Sequence, residues 1–437
     1  MRHASAILMM GTCLSAGAAN LGEIYTLART EDAPYRAAQQ AYRAGLEKRE
    51  QAKALYRPSI TLTANLRENN EKSNPGLPQG TYTSSSAALS LVQPLLRPQN
   101  KPSFEQGELQ SQLAEQQFMQ AEQDLMLRVS RAYFEILQAQ DAIAAVGAQK
   151  QAFAQQLAQS RRNFEVGVAP ITETNEAQSR YDLTIAQEIA ATNELEVKRR
   201  ILEKIINRPA PALAPLDPAA ETRPPAVEAM AALVERAPTE NLAVAVSRLN
   251  REIAEREVTK QSLAASPTFD LTASTNANRN VTPSGSAISG STHRSVLGVE
   301  LAWPLYQGGA NLSREREAAA NLGRAEFEVE NARRQATLDA RQAYLGSVSG
   351  GAMVTALRQA QSSGESQLRS SQRGFEVGTR ARVDVLNAQQ QLYTTRRDLA
   401  AARYQTLIAQ LQLKAAANQL SEQDLKALDA LLKEQAQ

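Results

Sequence analysis

Between Ser59 and Leu66 apolar and polar residues alternate without a break, with Ile60, Leu62, Ala64 and Leu66 on one side and Ser59, Thr61, Thr63 and Asn65 on the other. A period of two predicts a β-strand with one dry and one wet face. Ala87, Leu89 and Leu91 alternate in the same way with Ser86, Ala88 and Ser90 before Pro94 ends a second strand. Between them Glu68 to Thr83, holding Asn69, Asn70, Asn74, Pro75, Gly76, Pro78 and Gly80, reads as a polar loop. The pattern returns with Phe269, Leu271 and Ala273, a Ser/Asn/Gly loop over 274–291, and then Leu297, Val299, Leu301 and Trp303. Each half of the chain therefore predicts one hairpin of roughly ten-residue strands, within 58–94 and 267–304.

Elsewhere the period is helical. Asn20 to Leu55 reads as helix, and from Gln99 to Asn163 there is no proline after Pro102. At 1.5 Å per residue that second stretch is roughly 90 Å long, which implies coiled-coil packing. Its counterpart, Asn311 to Arg373, is expected to be interrupted near Gly346, Gly350 and Gly351. In the last long helix Val385, Leu392, Leu399, Thr406 and Leu413 recur every seventh residue, with Ala388, Thr395, Ala402 and Ala409 three residues after each of the first four. This is an a/d seam with small residues at d, suited to close helix approach. Leu425, Leu428, Leu431 and Leu432 mark a short amphipathic helix in the tail.

The chain is a tandem duplication. Phe164-Glu-Val-Gly-Val-Ala-Pro-Ile-Thr-Glu-Thr-Asn-Glu-Ala-Gln178 aligns without a gap on Phe375-Glu-Val-Gly-Thr-Arg-Ala-Arg-Val-Asp-Val-Leu-Asn-Ala-Gln389, at an offset of about 211 residues. Ala132-Tyr133 and Ala343-Tyr344, and Gln93-Pro94-Leu95-Leu96 and Trp303-Pro304-Leu305-Tyr306, repeat in the same order. Gly167 and Gly378 break each copy between two long helices, since glycine takes a left-handed backbone cheaply at a helix end. Each copy is thus the expected tip of a helical hairpin, at 164–175 and 375–387. The expected organisation is a signal peptide over 1–18, a first repeat over 19–208, a proline-rich linker over 209–225, a second repeat over 226–418 and a tail over 419–437.

Composition narrows the function. Of 437 residues 43% are hydrophobic but only 5% aromatic, a mixture suited to long helices packed through small side chains. The net charge of +2, with both signs interspersed, declares no basic face, and nucleic-acid binding is set aside. Arg2 and His3, an apolar run from Ala4 to Leu14 and Ala16-Gly17-Ala18-Ala19 read as a secretory signal cleaved after Ala18 or Ala19. Cys13, the only cysteine, leaves with it, so the mature chain has no thiol chemistry. His293 stands alone, and there is no phosphate loop, dinucleotide fingerprint or His/Cys cluster. No enzyme, metal site or cofactor is expected.

Ten-residue alternating strands suit a transmembrane β-barrel as well as a soluble sheet with one wet face. Four strands cannot close a barrel, and open edges are not tolerated in lipid, so the membrane reading requires several chains to share one. Two copies would give eight strands and a filled lumen; three would give twelve and a passage. At the tips, Glu173 and Asp384 occupy equivalent positions of the two repeats. Each carboxylate suits a first helical turn. Repeated around a symmetry axis, Asp384 would instead form a cation-favouring ring at a constriction, with Arg380 paired to Glu173 on a neighbouring helix.

The duplicated Val-Gly tips, Val377-Gly378-Thr379-Arg380 with Val383-Asp384-Val385-Leu386, Ala402-Arg403-Tyr404 and the paired hairpins make the chain similar to the TolC family of outer-membrane efflux and secretion proteins, from Leu21 to Ala417. The resemblance implies an α+β membrane protein, a homotrimer with a shared twelve-stranded barrel in outer-membrane lipid and a long periplasmic α-helical coiled-coil barrel. It implies no cofactor, and as partners a periplasmic adaptor and an inner-membrane ABC or RND transporter. It assigns Asp384 to a gate ring, Arg380 to gate bridging, Thr172 and Glu173 to the facing pair, and Val166, Gly167, Val168, Val377, Gly378 and Thr379 to adaptor-docking tips. Asn387 stands where the family has a second ring aspartate and Phe375 where it has a gate tyrosine, so a weaker ring and one fewer gate hydrogen bond are expected. A soluble periplasmic coiled-coil scaffold is the competing reading.

Overall fold

A computed structural model describes residues 18–71, 80–217, 227–281 and 290–432. The predicted signal core with Cys13, the loop residues Asn74, Pro75, Gly76 and Pro78, and Pro218, Pro224 and Pro225 lie outside the described residues. The first repeat runs α1 (Leu21–Glu31), α2 (Ala33–Ala54), β1 (Ser59–Glu71), β2 (Gly80–Leu96), α3 (Asn100–Glu165) and α4 (Ile171–Ile206). The second runs α5 (Val227–Glu240), α6 (Leu242–Ser262), β3 (Thr268–Val281), β4 (Gly290–Ala302), α7 (Ala310–Glu376) and α8 (Arg382–Ala416), and α9 (Glu422–Asp429) follows. The single helix expected before β1 is two, parted at Asp32. Its buried carboxylate accepts the Tyr35 amide at 3.0 Å and the Arg128 guanidinium at 3.0 and 2.9 Å. Two compact units result, one within Met1–Ala38, Met119–Leu242 and Arg333–Gln437, the other within Gln39–Phe118 and Ala243–Ala332.

The second of these units holds an antiparallel sheet of order β1-β2-β3-β4, in which pairing of β2 with β3 joins the hairpins of the two repeats. The register carries the alternation across all four strands. Ile60, Leu91, Ala273 and Leu297 form one row and Leu62, Leu89, Thr275 and Ser295 the next, while Thr63, Ala88, Asn276 and Arg294 share the opposite face. The apolar face is uncovered: Leu62 is 71% and Leu297 75% exposed. Such a surface calls for lipid or protein against it. A bulge lies between Pro94, which has no amide to donate, and Leu96, and just beyond it Arg97 forks onto Asp270 at 2.9 and 2.7 Å.

The strands are longer than their alternation suggested. Glu68 to Glu71 and Gly80 to Thr83, expected in a loop, continue the β1–β2 ladder; Ser274 to Asn280 and Gly290 to Ser291 do the same in β3 and β4, and Val281 pairs with Thr83 of β2. Asn, Ser and Thr end the hydrophobic pattern without ending backbone pairing, and they add side-chain bonds such as Asn69 Nδ2 to Ser84 Oγ at 2.8 Å. In the same unit Tyr42 stacks on Phe118 at 5.3 Å, and Gly45 lies so close to Ala114 that a Cβ there would sit 2.2 Å from the alanine methyl.

In the other unit α1 packs on α4 as α5 packs on α8, the duplication seen in three dimensions. One core gathers Leu21 and Ile24 with Leu125, Tyr133, Leu137, Leu202 and Ile206, all buried. The Tyr133 hydroxyl donates to the carbonyls of Ala19 and Ala214 at 3.2 and 2.8 Å. The tail, which periodicity left without a role, closes this core. Leu425 and Leu428 are buried, and the Asp429 carboxylate accepts the amides of Leu21 and Gly22 at the N-terminus of α1. A second cluster packs Met230 and Ala237 against Ala340, Ala343, Leu413 and Ala416.

Helix α7 is not interrupted at Gly346, Gly350 or Gly351; it runs unbroken for 67 residues. Two of these glycines are contact sites rather than breakers. A Cβ on Gly346 would lie 3.3 Å from the Ala409 methyl, and one on Gly350 2.4 Å from Thr406 Oγ1. The small d residues of the α8 heptad are buried as expected, and of the a residues only Leu399 is less than buried.

Candidate functional site at the hairpin tips

Both helical hairpins turn by the same device. Gly167 and Gly378 take φ of +77° and +79°, and two residues' worth of tight turn is closed by Val168 N to the Asn163 carbonyl at 2.9 Å and Thr379 N to the Gly374 carbonyl at 2.8 Å. A Cβ on Gly378 would touch nothing, so only the dihedral resists substitution. Gly378→Ala is expected to destabilise the tip by about 1–2 kcal/mol, read as a lower thermal unfolding midpoint. An unchanged midpoint would mean the tip does not hold this backbone. Val166, Val168 and Val377 project from the turns, each more than 70% exposed.

Just inside the tips one guanidinium gathers all four long helices. Arg382, the first residue of α8, is only 6% exposed. Its Nε lies 3.3 Å from Glu173 Oε2 on α4, its Cζ sits 4.4 Å above the Phe375 ring on α7, and Gln156 on α3 accepts from it once its amide oxygen is turned towards the guanidinium. Burial pulls the Arg382 pKa below its ordinary value and Glu173 opposes the shift; a guanidinium remains cationic here. The ring face of Phe375 supplies a cation–π contact where a tyrosine would have offered a hydroxyl.

Within one chain Glu173 meets Arg382; the pairing with Arg380 expected on a neighbouring helix would be made between copies. Arg380 lies outside the helix and reaches Asp384 at 3.8 Å, both well exposed. Asp384 also accepts the Ala381 amide at 3.3 Å, the helix-end role its position allowed. Asn387 accepts from Arg180 of α4 at 2.9 Å, and Arg180 also reaches Gln390 and Glu176, a second rung between α4 and α8. Thr172 is exposed, and the Thr379 hydroxyl donates to the Gly374 carbonyl. Lys150 and Glu188 join α3 to α4 further along. Sequence reasoning passed over Arg382. One signal was available: a cation at the first position of a helix opposes the helix dipole, so it needs a partner elsewhere.

Two long helical hairpins clasped at their tips and a four-stranded sheet with one apolar and one polar face match a known pattern. The family described as outer membrane efflux protein matches residues 24–208 and 233–419. The chain belongs to the outer membrane efflux protein family. Among relatives of this family member, outer membrane protein TolC of Vibrio cholerae is 33% identical over 97% of this chain and 96% of its own. The proteases secretion protein PrtF of Dickeya chrysanthemi is 30% identical over 98% of this chain and 95% of its own. In fold, the CmeC outer membrane channel of Campylobacter jejuni superposes with a TM-score of 0.79 at 13% identity, covering 99% of this chain and 98% of that one. The family is one of outer-membrane channels rather than enzymes.

Proposed function

We infer that this protein is the outer-membrane exit duct of a tripartite efflux pump or type I secretion system, with its sheet in the outer membrane and its helices in the periplasm. The observation that carries the reading is the sheet. Its apolar face is uncovered in the single chain and its strands β1 and β4 are edges, which lipid does not tolerate. Copies of the chain resolve both problems by closing one barrel, and three copies give twelve strands and a passage. The soluble scaffold is set aside, because a periplasmic coiled coil has no use for two amphipathic hairpins in register.

In this reading the exposed valines of the tips, Val166, Val168 and Val377, face the helical hairpins of a periplasmic adaptor, which links the duct to an inner-membrane ABC or RND transporter. Asp384 of each copy faces the axis, and Arg382 holds each chain's own four helices together behind it. Single-channel recording in planar bilayers tests both halves. Native protein should give small, cation-preferring currents. Asp384→Asn should move the reversal potential in a salt gradient towards zero. Protein that purifies without detergent and never inserts would sink the duct; insertion with an unmoved reversal potential would sink only the ring.

A further inference from the structure

The lipid-facing side of the sheet is not uniform. Moving away from the helices, the rows of the apolar face run Ile60, Leu91, Ala273, Leu297, then Leu62, Leu89, Thr275, Ser295, then Ala64, Ala87, Ala277, His293, then Leu66, Ser85, Arg279, Ser291. Where neighbouring rows carry leucines, the third carries three alanines. The missing side-chain volume leaves a depression of about 510 Å³ bordered by Leu66, Arg279 and His293. A second trough of similar size lies one row nearer the helices, lined by Ile60, Leu89, Leu91, Ala273 and Leu297 together with the smaller polar Thr275 and Ser295.

Polarity is graded along this groove. Its inner part is apolar and its outer end carries a guanidinium and an imidazole on adjacent strands one row apart, within reach of one ligand. No carboxylate among the described residues pairs with Arg279; Glu68, on the same face, sits one row further out and two strands away. The helices adjoin the sheet at Ser59, Leu96, Thr268 and Ala302, so Glu71, Gly80, Val281 and Gly290 mark its far end, and in the outer-membrane reading Arg279 lies near the outer leaflet. From Ala273 to Arg279 the groove runs roughly 20 Å, a large part of one bilayer core of about 30 Å.

We propose that this groove binds a phosphate-bearing lipid of the outer leaflet, with an acyl chain in the trough over Ala87 and Ala277 and the phosphate on Arg279 and His293. It rests on the outer-membrane reading above. Arginine matches phosphate geometry through paired N–H groups, and a partly desolvated contact of this kind is among the stronger hydrogen bonds. The acyl chain supplies the apolar area and the phosphate selects the lipid.

The test is native mass spectrometry of the full-length protein purified in detergent and titrated with diphosphoryl lipid A, dephosphorylated lipid A or inorganic phosphate. The variants are Arg279→Gln with His293→Gln, Ala277→Leu to fill the groove, and Arg67→Gln on the opposite face as control. Expected are retention of diphosphoryl lipid A by native protein and the control, and retention about tenfold weaker in both groove variants and for the dephosphorylated lipid. Equal retention by the double variant, or equal loss in the control, overturns the site. Displacement by inorganic phosphate alone would make it a free-anion site and overturn the lipid. A native chain that never enters vesicles of the same lipids would show instead that the outer-membrane reading is at fault.

Discussion

Arg382→Met is expected to loosen the tip and enlarge the single-channel conductance, whereas Arg380→Met leaves the clasp in place. Methionine keeps the length and the apolar stem but removes the charge that Glu173, Gln156 and the Phe375 ring all face. Breaking a buried pair by deleting one partner costs about 3–5 kcal/mol, because the other charge is stranded. Glu173 is 36% exposed and can turn partly to water, so about 1–3 kcal/mol is the appropriate expectation. Glu173→Gln in the Arg382→Met background should recover part of the lost thermal stability, since the stranded charge is gone. A double variant no more stable than Arg382→Met, or a conductance that stays native, would show that the clasp does not hold the helices together.

Gly350→Leu should be the more damaging change to the fold. The Cβ alone would lie 2.4 Å from Thr406 Oγ1 and 3.5 Å from Thr406 Cα, and Thr406 is fully buried. Helices α7 and α8 must separate to admit the side chain, and overpacking of this kind costs about 1–3 kcal/mol, more where backbone has to move. The thermal midpoint should fall, and Gly350→Ala combined with Thr406→Ala should lie close to native, because the smaller pair relieves the overlap while alanine gains helix propensity over glycine. Equal stability of Gly350→Leu and native protein would mean the helices are not in contact at this level.

Much of the architecture is written in local periods. Alternation at Ile60, Leu62 and Ala64 and at Phe269, Leu271 and Ala273 names strands and their dry face, because in a strand consecutive side chains point to opposite sides whatever lies beyond. The heptad of α8 and the left-handed turns at Gly167 and Gly378 are likewise properties of a few neighbouring residues. Strand ends were less legible. Asn69, Asn70 and Thr81 look like loop residues, and only the partner strand opposite makes them ladder residues.

Which helix each face meets was decided by tertiary structure. Gly350 reads as a helix breaker until Thr406 is placed against it. Within one chain Arg180 engages Asn387, and Asp384 accepts the amide at its own helix start, contacts that the sequence did not name. Arg380 and Arg382 differ by two positions, and the sequence offered only Arg380 as a partner for Glu173, on a neighbouring helix. Arg380 precedes α8, whereas Arg382 is its first residue, and once α8 docks on α4 that guanidinium meets Glu173. Periodicity along the chain determines that a buried face exists; the rotation of one packed helix against another determines what that face touches.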